Sequence, residues 1–296
     1  MNKIVKVPGS CGELAEGRIA GIDFHISCPI DLYTTVEIKS NKQVQGIKFS
    51  NNLANSAKTE KAITETLDYL QLERNELNLE IELKSELSAA KGMASSTADI
   101  TAMIIALFAS LGEEIDLAVV KELALAVDPT DGVFMAGIVA FDHFQGRIKI
   151  PFGEISSIPV LIFDTGTQVD TVEFSQRSNL TVLRRAEESK IRKAYKLIKR
   201  GIKQKDWQLI AQGTTMSSLA NQNILFKPYL EDLISLVDNK ADVLGVNIAH
   251  TGSLIGVLLR NEANDEKILE EIRNKIPKLK YLLKTKIING GAKVIS

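Results

Sequence analysis

Cysteine is nearly missing from this chain. Only Cys11 and Cys28 occur in 296 residues, too few for a disulfide framework and without the close Cys or His companions of a metal site. Both are expected to be reduced thiols. Charge of one sign is missing too: 36 Lys and Arg against 37 Asp and Glu leave a formal net charge of −1, which removes the long-range pull toward nucleic acid. No apolar run approaches the roughly 20 residues that cross a bilayer. The longest, Ile100 to Leu111, is interrupted by Thr101 and Ser110. The amino terminus passes from Asn2 and Lys3 straight into a short apolar strand, without the apolar core and cleavage site of a secretion signal. A cytoplasmic protein is expected, with no nucleic-acid and no membrane partner.

Several chemical signatures are absent as well. There is no Gly-Lys dipeptide, so the usual P-loop is excluded, and no His-Arg-Asp or Asp-Phe-Gly of protein kinases. The Gly-x-Gly-x-x-Gly of dinucleotide folds and the His-Glu-x-x-His of zinc peptidases are lacking too.

What is present is an ordinary globular composition, 45% hydrophobic and 25% charged. At this length a single core usually stops growing, so two lobes are expected, 1–152 and 153–296. The first opens with short β-branched strands at Ile4–Pro8, Ile22–Cys28 and Leu32–Lys39, punctuated by glycines. A helix at Lys58–Leu70 and an alternating strand at Leu77–Leu83 follow, then a buried helix ending at Leu111 and a second helix at Asp116–Val127. Ala136–Phe141 and Arg147–Ile150 read as a closing hairpin. The second half reads as a strand at Val160–Phe163, helices at Thr181–Arg200, Asp206–Ala220 and Tyr229–Val237, strands at Val243–Ala249 and Leu254–Arg260, a helix at Asp265–Lys275 and a strand at Tyr281–Ile288. Without its extra helices this is the β, α, β, β, α, β order of ferredoxin-like domains. The basic run from Arg184 to Lys205 sits between apolar residues at helical spacing and is read as a solvated helix face.

Three glycine-bearing segments hold the chemistry: Pro8-Gly9-Ser10-Cys11-Gly12-Glu13, Lys91-Gly92-Met93-Ala94-Ser95-Ser96-Thr97-Ala98, and His250-Thr251-Gly252-Ser253. Small residues feeding a helix leave backbone N–H groups free to face an anion, aided by the helix dipole. Alone, the middle segment reads as readily as a plain N-cap, and Asp128-Pro129-Thr130-Asp131-Gly132 as a plain turn. His143 and His250 titrate near neutrality but are not required by phosphate chemistry, and Trp207 reads as a packing residue on an amphipathic helix.

Taken together the segments resemble the GHMP kinase superfamily. Gly92-Met93-Ala94-Ser95-Ser96-Thr97-Ala98 is similar to its phosphate loop, though Ser85 to Ala90 lack the usual upstream proline, and the outer two segments resemble its first and third motifs. Pro8 to Leu14, Cys28-Pro29-Ile30-Asp31-Leu32-Tyr33, Lys91 to Asp99, the Asp128 turn and Phe141-Asp142-His143 are most similar to its L-threonine kinases of cobalamin biosynthesis. The resemblance implies an α+β fold, with a lobe like ribosomal protein S5 domain 2 and a ferredoxin-like lobe. It implies an enzyme using ATP and Mg²⁺ to phosphorylate the L-threonine hydroxyl. ATP would be held by Lys91, Gly92, Met93, Ala94, Ser95, Ser96 and Thr97, and Mg²⁺ by Ser96 and Asp128. Asp131 would orient or deprotonate the hydroxyl, with Ser10, Gly12, Glu13, Gly252 and Ser253 around the substrate. Homoserine or an isoprenoid alcohol as substrate, or a silent ligand-binding relative, stay open at this point.

Overall fold

The long apolar alternation after Lys3 forms more strand than its glycines suggest. In the computed structural model, which describes residues 2–51, 56–167, 174 and 177–295, β1 (Asn2–Ile19) and β2 (Ile22–Ser40) are a single antiparallel hairpin turning at Ala20 and Gly21. The first glycine segment lies inside β1, where the pairing slips register between Pro8 and Ser10, Ser10 and Glu13, and Glu13 and Ala15. Such bulges bend a strand and re-aim its side chains without ending it. The two strands expected around Pro29 are likewise one, because Pro29 sits at a bulge opposite Ser10.

The chain continues through β3 (Gly46–Phe49), α1 (Ala57–Leu70) and β4 (Asn78–Ser85). Helix α1 starts at Ser56 with a reciprocal capping box to Thr59. Then come α2 (Ser95–Leu111), α3 (Leu117–Val127) capped by Asp116, a 3₁₀ turn at Gly132–Phe134, β5 (Ile138–Phe141) and β6 (Lys149–Gly153). A division of the chain at Phe152 falls inside β6. The second half holds β7 (Ile158–Asp164), α4 (Leu180–Gln204), α5 (Trp207–Asn221), α6 (Leu230–Val237), β8 (Val243–Ile248), β9 (Leu254–Leu259), α7 (Asp265–Lys275), β10 (Lys280–Ile287) and β11 (Lys293–Ile295).

Strands β8, β9, β7 and β10 lie side by side and antiparallel in that order, the interleaved order of a ferredoxin-like unit. This unit is joined to the hairpin on both flanks, β8 to β1 at Glu13–Ile248 and β10 to β2 at Ile287–Ile30. Helix α2 is buried against β1 and β2 over Thr97, Ala98 and Ile100 to Ala109, with Asp99 left facing the cavity. Each of its large apolar side chains withdrawn from water stabilises by about 1.5–3 kcal/mol. Its amino terminus is therefore fixed by the core while still opening onto a cavity. Among the described residues, no helix is long and apolar enough to cross a membrane.

Candidate active site

The three glycine-bearing segments, far apart in sequence, are laced together by backbone hydrogen bonds. Ser10 N–H donates to Met93 O at 2.9 Å, Gly12 N–H to Gly92 O at 3.1 Å, and Ser253 N–H to Lys91 O at 3.0 Å. Gly252 and Gly92 are pressed together, and a Cβ on Gly252 would collide with the Lys91 carbonyl. Any side chain there would push the third segment off the loop.

Above this seam lies a cavity of about 640 Å³ whose lining includes Gly92 to Thr97, Asp128 to Asp131, Glu13, His25, Lys58, Arg184 and Gly252. The loop enters α2 through Ala94, left-handed at φ 53° and making no side-chain cap. Ala90 is left-handed too, at φ 59°. Left-handed alanine costs of order 1 kcal/mol or more, a strain typical of ligand clamps. The hydroxyls that a plain N-cap would turn onto the helix amides turn away instead. Ser96 Oγ donates to Asp128 Oδ2 at 2.9 Å, and Thr97 Oγ1 lies 3.4 Å from Asp131 Oδ2 while accepting the Asp131 N–H at 2.9 Å. With no side-chain cap at Ala94, the helix start is free to face an anion.

At one end of the cavity the Lys58 ammonium lies 3.0 Å from Ser96 Oγ and 2.6 Å from Asp128 Oδ2. Two hard oxygen donors already bridged by a cation are a donor set that suits Mg²⁺. The other end is drier. His25 Nε2 stands 3.3 Å from Asp131 Oδ1 without an aligned hydrogen bond, and its ring stacks on His143 at 4.6 Å. Burial holds His143 well below the usual histidine range. Glu13 Oε2 accepts from the backbone N–H of His250 at 2.9 Å and lies 2.8 Å from His250 Nδ1. Burial pushes Glu13 up to about 7 and His250 down to about 4. At neutrality His250 is thus uncharged, and burial outweighs the pull of the nearby cations on Glu13.

Of the expected residues, Gly92 to Thr97, Asp128, Asp131, Glu13 and Gly252 line the cavity. Ser10, Gly12 and Ser253 lie beneath it as backbone struts of the loop. The Lys91 ammonium turns to Asp164 on β7, at 2.7 Å. His143 reaches the cavity wall, and Trp207 packs with its Nε1 donating to Ser156 O at 2.9 Å. Both cysteines are buried and free.

Arg184 is the exception on its helix, whose other basic residues from Arg185 to Lys205 form the solvated face expected of them. It is 7% exposed, lines the cavity, and pairs with Glu16 at 3.0 Å and Asp23 at 3.3 Å. The buried face of α4 runs Leu180, Arg184, Glu187, Ile191, Ala194, Ile198, so Arg184 and Glu187 hold apolar positions in the helical repeat. That misplacement was a visible signal. Lys58 carried a weaker one, a cation in the first turn of α1, where the dipole disfavours it. For His25, flanked by Phe24 and Ile26 in a strand, the pattern offered none.

This arrangement belongs to a known family. Residues 59–137 match the GHMP kinases N terminal domain and residues 196–278 the GHMP kinases C terminal domain, together more than half of the chain, which is a member of the GHMP kinase family. Among its relatives is the L-threonine kinase of Salmonella typhimurium (strain LT2), 28% identical, with 98% of this chain and 95% of that one covered. The fold matches the mevalonate kinase of Methanococcus jannaschii with a TM-score of 0.71 at 19% identity, over 96% of this chain and 98% of that one. It matches the Lactococcus lactis galactokinase complexed with galactose, also at 0.71, with 12% identity over 99% and 95%. The expected family and α+β architecture are borne out.

Proposed function

We propose that this chain transfers the γ-phosphoryl group of ATP to the hydroxyl of L-threonine, giving ADP and O-phospho-L-threonine for the aminopropanol arm of cobalamin. The observation that carries the reading is the convergence, in one cavity, of an uncapped helix start, a Ser96–Asp128 oxygen pair and a Glu13–His25–Asp131 cluster in which Glu13 and His25 are buried. The threonine assignment draws its support from the L-threonine kinase relative.

The start of α2 cradles the phosphates with backbone N–H groups. Ser96 and Asp128 would hold Mg²⁺, which when bound would neutralise phosphate charge. Lys58, which bridges the two in this structure, would give up that position to the metal and supply its charge beside the phosphates instead. Glu13 accepts the substrate ammonium, which supplies the charge its burial leaves uncompensated. Arg184 offers its guanidinium to the substrate carboxylate from the cavity wall. Asp131, fixed by Thr97 and flanked by His25, takes the hydroxyl proton as the threonine oxygen forms its bond to phosphorus and the bond to the ADP oxygen breaks.

Incubation with Mg·ATP and a panel of threonine, serine, homoserine and mevalonate, with products identified by mass, tests this directly. Phosphothreonine as the main product is expected. Preference for homoserine or mevalonate rejects the substrate, and no phosphorylated product from a protein that binds nucleotide rejects catalysis.

A further inference from the structure

Lys227, in the connection between α5 and α6, is a lysine that the fold hides almost entirely, at 1% exposure. Its backbone is held from both sides by Gln222, whose Oε1 accepts the Lys227 N–H at 2.7 Å and whose Nε2 donates to Lys227 O at 3.3 Å. Its ammonium donates to Ala249 O at 2.7 Å and to Gly252 O. These two carbonyls bracket the third glycine segment, where Thr251 and Gly252 line the cavity.

What lies on the far side of those two peptide groups gives the contact its meaning. The peptide whose carbonyl is Ala249 O presents its N–H, that of His250, to Glu13 Oε2 at 2.9 Å. The peptide whose carbonyl is Gly252 O presents its N–H, that of Ser253, to Lys91 O at 3.0 Å. One buried cation thus orients and polarises two peptide planes, one holding the carboxylate end of the cavity and the other holding the phosphate loop.

We propose that Lys227 is a positioning residue for both ends of the site, and that its ammonium charge, rather than its bulk, is what the nucleotide and the substrate require. This rests on reading the cavity as a kinase site. The charged groups around the ammonium are Glu13 and Glu16 on β1 and Asp164 on β7, with neutral His250 on the turn itself. Burial lowers Lys227 to about 8, against an ordinary 10.5. The ammonium is therefore intact at neutrality and is lost as pH rises through about 8. Because the fold lowers this pKa, the unfolded chain binds the extra proton between the two values, and the Lys227 contribution to stability rises with pH there. Binding and stability thus respond in opposite directions.

The experiment is Mg·ADP affinity by calorimetry at pH 7.5 and 9.5, above the titration of nucleotide phosphate and of Glu13, with melting recorded alongside. Wild type is expected to lose about tenfold in affinity across this range, as a charge-assisted contact is weakened, with its fold kept. Lys227→Met is expected to bind about tenfold more weakly at pH 7.5 and to show no further fall at 9.5. Wild-type affinity that stays flat, or a folded Lys227→Met that binds as wild type or keeps the wild-type pH slope, overturns the proposal. Should Lys227→Met fail to fold, the wild-type profile alone decides by the same criterion. A wild type that binds no nucleotide at either pH removes the kinase reading and this inference with it.

Discussion

The two ends of the cavity are built from the same few residue types under opposite conditions. At the Ser96 end, Lys58 is 53% and Asp128 27% exposed, so their charges are hydrated and their ion pair is worth little to stability. At the Asp131 end, His25 is 5% and His250 2% exposed, although Asp131 itself, at 24%, is nearly as open as Asp128, and the protonation of Glu13 and His250 is set by burial. The difference teaches a division of labour. On the proposed reading, the nucleotide is met by exposed charge, and the amino-acid substrate by more buried groups, where an unpaired charge is costly.

Four outcomes break or sharpen that contrast. The largest is Asp131→Asn, which keeps size but removes the proton acceptor. The kcat is expected to fall about 10²- to 10⁴-fold with little change in nucleotide affinity, and unchanged kcat in a folded variant would show that positioning suffices at the dry end. Next, homoserine carries its hydroxyl one carbon further out than threonine. A misplacement of ~1 Å costs about 10²-fold, while serine, lacking only a methyl, loses about 1–3 kcal/mol. The order in kcat/KM is threonine, serine, homoserine, and equal use of all three by the enzyme would mean that the dry end does not select.

At the hydrated end the losses are smaller. Ser96→Ala removes the proposed oxygen ligand together with a part-buried hydrogen bond to Asp128, so Mg·ATP turnover drops roughly 10- to 100-fold while Tm falls by about a few degrees at most. Wild-type turnover at saturating Mg²⁺ would take Ser96 out of the site. The smallest effect is one of pH. Glu13 must be ionised to hold an ammonium, and its pKa is raised to about 7. The kcat/KM for threonine therefore falls as pH drops below 7, by about tenfold per unit, with no matching fall in affinity for Mg·ADP. A Glu13→Gln variant that keeps the same acid limb would assign it to another group.

Much of this was legible in the sequence for a physical reason. Glycine where the backbone must pass close, hydroxyls at a helix start and paired aspartates in a turn are local patterns that made Gly92, Ser96, Asp128 and Asp131 candidates, but alone they read as well as a plain cap and a plain turn, and the family resemblance gave them their proposed roles. The residues that escaped are placed by tertiary contact. Lys58 reaches Ser96 across 38 positions, and Arg184 reaches Glu16 across 168. His25 meets Asp131 only because β2 carries it under the turn. For the fold, helix and strand types followed periodicity, while the length of β1 and β2 did not. Register slips keep Gly9, Gly12 and Pro29 inside a ladder that composition alone would break there.

That ladder also bears on the order in which the molecule can assemble. Strand β1, which is made before its partners, pairs with β8 at Ile248 and with β11 at Lys293 to Ile295, while β2 waits for Ile287 of β10. Loop closures of this span are slow, and they leave early strands unpaired during synthesis. The apolar helix α2 is translated long before these partners emerge. It can shield one face of the nascent hairpin, but the edge of β1 stays open until the last strands arrive.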